Sequence, residues 1–84
     1  MPRAFFPHSL HDVVHAVDGP FGLVVGDLPD GTLWVLKRNR KEPGYVLTCF
    51  ADATRAVVRA THPVADRREA INQFAAAIGL GEAL

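Results

Sequence analysis

The stretch FGLVVGDLPDGTLWVLKRNRKEPGYVLTCF, residues 21–50, reads as three antiparallel strands joined by two turns. Leu28-Pro29-Asp30-Gly31 combines a proline that presets φ, an aspartate that bonds to nearby backbone, and a glycine that accepts a positive φ. Apolar, β-branched and aromatic runs flank it, Phe21 to Val25 before and Leu33 to Leu36 after, so the turn closes a hairpin. A charged connection from Asn39 to Gly44 then leads into a third run, Tyr45 to Phe50.

Side chains alternate between the two faces of a strand. Leu33, Val35 and Lys37 therefore share one face of the middle strand, while Trp34, Leu36 and Arg38 share the other. Both faces are apolar until the strand's end. A small antiparallel sheet with one face in water would carry polar residues along that face. Each face of this sheet thus requires a cover, from the chain's own helices or from a partner.

Upstream, Ser9 precedes Leu10, Val13, Val14 and Val17, the i, i+3, i+4, i+7 spacing of one helical face. Ser9 with Asp12 resembles a capping pair and Gly19-Pro20 a stop, which predicts a short helix over 10–17 after an irregular arm at 1–8. The competing reading is a strand, since Val13, Val14 and Val17 favour sheets and Asp18-Gly19 can turn a hairpin into Phe21. Downstream, DATRAVVRAT at 52–61 fits two templates. Asp52 as a cap, several Ala and Arg residues, and His62-Pro63 as a stop favour a helix. Alternation of Thr54, Ala56, Val58 and Ala60 would instead make a fourth strand. The final helix is plainer: Asp66 caps it with Glu69 at the third position, Ile71, Phe74, Ala75 and Ile78 line one face, and Gly79 ends it. Residues 81–84 read as a flexible tail. The predicted class is α+β, a three-stranded antiparallel meander, four-stranded if 52–61 is extended, with an N-terminal short helix and C-terminal helices packed on the sheet. The last helix should cover one sheet face and the first helix part of the other.

With 84 residues the chain is one domain with one core, and a chain of this size buries about 60 to 65% of the surface its unfolded form exposes. A hydrophobic content of 49% and a charged content of 21% place it among ordinary globular sequences. Nine basic residues balance nine acidic ones, so no global field draws it to nucleic acid or an anionic membrane. Cys49 is the sole cysteine, which excludes an internal disulfide and a thiolate zinc site made by this chain alone. The start, Met1 to Pro7, is too short and proline-broken for a signal peptide, and no stretch approaches a membrane span, so a cytoplasmic location is expected.

His8, His11 and His15 place two imidazoles on one helical face, the spacing of paired metal ligands, but no third ligand converges in the sequence. Asp12 beside His15, with Cys49 as a nucleophile, would be needed for a cysteine hydrolase, yet Cys49 sits inside an apolar strand with no nucleophile turn around it. Gly19, Gly22 and Gly26 lack the strand-loop-helix context of a phosphate loop. No catalytic, cofactor or metal residue is therefore assigned. Lys37, Arg38, Arg40 and Lys41 form the one dense charge run, with Arg55 and Arg59 as candidate additions, and such a hairpin can contact nucleic-acid phosphates. Trp34, Phe5, Phe6 and Phe21 are the candidate protein-contact aromatics.

The leading expectation is a non-enzymatic module that works by contact with another protein or a second copy of itself. Small proteins of mobile elements that inhibit a host enzyme or defence complex are one class in which such domains occur. The alternative is a nucleic-acid-binding module using the basic hairpin 37–41.

Overall fold

The computed structural model describes residues 7–84, so the candidate contacts Phe5 and Phe6 lie outside the described residues. Helix α1 (Leu10–Asp18) is followed by strands β1 (Leu23–Asp27), β2 (Leu33–Arg38), β3 (Tyr45–Phe50) and β4 (Val58–Val64) and by helix α2 (Arg67–Ala77). The strands form one antiparallel sheet in the order β1-β2-β3-β4. The α+β meander is thus four-stranded.

Local chemistry sets most of these boundaries. The Ser9 hydroxyl accepts the Asp12 N–H at 3.3 Å while the Asp12 carboxylate reaches back to accept the His8 N–H at 2.9 Å, so two N–H groups at the start of α1 are satisfied reciprocally. In the β1–β2 turn the Gly31 N–H donates to the Leu28 carbonyl at 2.9 Å, and the Asp30 carboxylate accepts from both the Thr32 N–H and its hydroxyl. Asp66 caps α2 by accepting the Glu69 N–H at 3.2 Å. That helix closes in a Schellman motif: Leu80 N–H donates to the Ala75 carbonyl, Gly79 N–H to that of Ala76, and Gly79 has φ of 75°. Residues 81–84 form no helix or strand, yet Glu82 accepts the Leu10 N–H and Leu84 donates to Asn72.

Residues 52–61 are not a helix. The Asp52 carboxylate accepts from the Thr54 N–H and hydroxyl, repeating the Asp-x-Thr arrangement of Asp30 and Thr32. The side chain expected to cap a helix instead closes a loop, and Arg55 then takes φ of 62°, which no α-helix admits. The Ala51 N–H donates to the Val57 carbonyl and β4 begins at the next residue. Phe50 pairs with Val58 and Cys49 with Ala60, leaving Arg59 as the extra residue of a β-bulge. The bulge turns Val58 to the same face as Phe50 and sends Ala60, His62 and Val64 to the opposite one. Pro63 is tolerated because β4 is an edge strand. Val46 already bonds toward β2, so Pro63 opposite it needs no N–H for the ladder.

Both helices lie on one face of the sheet, contrary to the expectation that they divide between the two. Val24, Leu36, Leu47 and Val64 from the strands meet Val13 and Val17 of α1 and Ala70, Ile71 and Phe74 of α2 in a single buried cluster. Losing a fully buried side chain of this kind, as in Phe74→Ala, costs about 3–5 kcal/mol. Trp34 shares this face and packs against the cluster half-buried. The close approach is made possible at Gly26, opposite Trp34, where an added Cβ would lie 2.7 Å from Ile78 Cγ2 and 3.3 Å from Phe74 Cζ. Gly26→Ala is therefore expected to cost about 1–3 kcal/mol, lowering the thermal midpoint by about 4–8 °C per kcal/mol, and most of that added cost should vanish in an Ile78→Ala background. Thermal melts followed by circular dichroism on the two single variants and the double variant measure it.

Candidate binding surface

The alternate residues of the same strands form the second face. Leu23 and Val25 of β1, Leu33 and Val35 of β2, Val46 and Phe50 of β3 and Val58 of β4 point away from the helices. Among the described residues no helix or strand lies over them. Leu33 and Val35 at the centre are buried, whereas Val58 is 54% exposed and its neighbour Val57 57% exposed. The accessible apolar surface is thus concentrated where β3 hands over to β4, beside Phe50. Phe21 is 64% exposed at the opposite end, next to the rung where the Arg38 N–H donates to the Gly22 carbonyl. Trp34, expected as a contact aromatic, is engaged on the helix side.

The basic residues do not assemble into one patch. Lys37, Arg38, Arg40 and Lys41 lie at the β2–β3 end of the sheet, whereas Arg55 and Arg59 lie at the other end of β3, about 17 Å away at 3.4 Å per residue. There they neighbour Asp30 and Asp52; the positive charge of Arg59 is a minor contributor to the lowered Asp30 pKa, which the Thr32 hydroxyl dominates. Arg38 is committed internally. Its guanidinium donates to the Val17 carbonyl at 3.3 Å, satisfying an orphan acceptor at the negative end of α1. Lys37, Arg40 and Lys41 are exposed and line, with Arg38, Asn39 and Val46, a recess of about 350 Å³. Glu42 lines an adjoining recess with Pro43 and Tyr45, and the two recesses share Asn39 and Val46.

His11 and His15 stack with ring centroids 6.2 Å apart beside a recess of about 380 Å³ that also includes Asp18. Asp18 is already engaged: Arg67 Nε and a terminal guanidinium nitrogen donate to its two oxygens at 3.0 and 2.6 Å, tying the end of α1 to the start of α2. Among the described residues no group of three His, Cys, Asp or Glu side chains is placed to hold a metal ion. The cysteine-hydrolase set is also dispersed, because Cys49 is buried in β3 while α1, bearing Asp12 and His15, touches β1, β2 and α2 but not β3. No helix among the described residues is long and apolar enough to cross a membrane.

Comparison with protein-family models, curated proteins and solved structures gives no match for this chain. The functional reading therefore rests on its own surface.

Three carboxylates make the fold acid-sensitive. The Arg67 guanidinium holds Asp18 below its ordinary value of 3.8, and the Thr32 and Thr54 hydroxyls do the same for Asp30 and Asp52. Folding depresses these values, so the unfolded chain binds more protons just below pH 3.8. Their contribution to stability is complete above that pH and is lost as pH falls through the folded-state values. Asp18 and Arg67 are nearly half exposed, so solvent screening limits the pair to below about 1 kcal/mol. Urea melts from pH 7 to pH 2 should show a flat plateau and then an acid decline, with Asp18→Asn lowering the plateau slightly and shallowing the decline.

Proposed function

We propose that this chain is a non-enzymatic binding module that acts by occupying an apolar surface of another protein, with a second copy of the chain as one such partner. The observation supporting this reading is the second sheet face, which carries apolar side chains from all four strands around Thr48 and Thr61, with Val57 and Val58 exposed beside Phe50. Monomeric domains rarely display clustered apolar side chains without a use for them. Zero net charge suits a contact driven by apolar burial.

Size bounds the strength of such a contact. Four strands about 4.8 Å apart and five residues at 3.4 Å each give a face of roughly 19 by 17 Å, or about 320 Å². Less than that is open to a partner, because Leu33 and Val35 at its centre are already buried within the chain. A stable interface of standard size buries about 800 Å² per partner. The contact therefore extends past the strands to the exposed Val57 and Phe21, or it is transient. Inhibition of a host enzyme or defence complex by a protein of a mobile element is one setting in which a small module of this kind works by occupancy alone.

Val57 and Val58 are exposed, so Val57→Lys with Val58→Lys should change the thermal midpoint by no more than a few degrees. The same pair should abolish concentration-dependent mass in light scattering, or retention of a partner drawn from the source cell. A wild-type chain that is strictly monomeric at millimolar concentration and captures no partner contradicts the reading.

A further inference from the structure

We propose that the recess at the β2–β3 end binds the phosphodiester backbone of nucleic acid through Lys37, Arg40 and Lys41, without reading sequence. This inference is independent of the apolar face. Its starting point is charge arrangement. The recess is lined by cations, Asn39 and Val46, with no carboxylate in its wall; the nearest acid in sequence, Glu42, lines the adjoining recess on the other side of Asn39 and Val46, which the two share. Among the described residues no side-chain partner pairs with Lys37, Arg40 or Lys41, although the chain has as many acidic as basic residues. Arg38 leaves the set because its guanidinium serves the end of α1, and Arg55 and Arg59 leave it because they lie at the opposite end of the sheet.

The remaining set suits a polyanion with regularly repeated charges. Two ammonium groups act as point charges and one guanidinium as a fork that matches a phosphate's oxygens. A nucleic-acid backbone offers successive phosphates at fixed spacing, whereas a folded protein seldom presents three adjacent unpaired carboxylates. No aromatic side chain lines the recess, so it provides no platform on which a base could stack. Contacts of this kind position the ligand and carry no sequence information.

The arrangement predicts a salt dependence. Three phosphate contacts on duplex DNA give a slope of log K against log salt of about −2.7, a fall in affinity of about 40-fold between 50 and 200 mM salt. Fluorescence anisotropy of labelled 20-base-pair duplexes of two unrelated sequences, titrated with the full chain, should give this slope and equal affinities for both. Lys37→Gln, Arg40→Gln or Lys41→Gln should each reduce the slope to about −1.8, a fall of about 12-fold over the same range, while Arg55→Gln and Arg59→Gln leave it unchanged. A flat salt response, an equal effect of Arg55→Gln, or poly-glutamate binding as tightly as the duplex would overturn the proposal. The last of these outcomes would assign the recess to an acidic protein.

Discussion

The absence of a side chain at Gly26 lets Phe74 of α2 and Ile78, which caps that helix, press against the backbone of β1, and the rest of the architecture depends on that fit. With α2 lying this close, Val13 and Val17 of α1 complete the same cluster rather than starting a second one. The ion pair between Asp18 and Arg67 joins the end of one helix to the beginning of the other on that side. A chain of this length can fill one core, and it fills it on one face of the sheet. The second apolar face follows from that allocation.

Where local chemistry decided the outcome, it was legible in the residues. Pro29-Asp30-Gly31 forms the turn it suggests, Ser9 and Asp66 cap the helices they precede, and Gly79 with Leu80 closes a Schellman motif. Residues 52–61 were legible only in part, because Asp52 can cap a helix or tie a loop through Thr54, and both uses begin with the same side-chain acceptor. The Asp-x-Thr spacing shared with Asp30 and Thr32 was the signal that separates them. No periodicity revealed the bulge at Arg59, since an extra residue breaks the very alternation used to assign faces. The two apolar faces of β2 were evident, but which helices cover which face is a tertiary choice.

The candidate surface was legible as composition and not as geometry. Trp34 and Phe50 both read as strand aromatics, yet alternation set one against the helices and the other on the second face. The basic residues looked like one patch because Lys37 to Lys41 are adjacent and Arg55 and Arg59 are near in sequence. An antiparallel hairpin instead carries the later pair to the far end of the sheet. Arg38 was lost to the patch for a different reason, the unmet carbonyl at the end of α1. What remains is a surface with two separate features, an apolar face and a basic recess that touch at Val46.

The assignment of faces is tested most directly by the single thiol. Cys49 lies on the helix side by the same register that turns Phe50 outward, and a slip of one residue would exchange them. Reaction of the native chain with a thiol reagent, compared with the urea-unfolded chain, reads out which arrangement exists. Burial beneath the helix face predicts a native rate lower by more than about 100-fold, limited by opening of the domain. A native rate close to the unfolded one would place Cys49 at the surface and contradict its assignment to the sheet face that α2 covers.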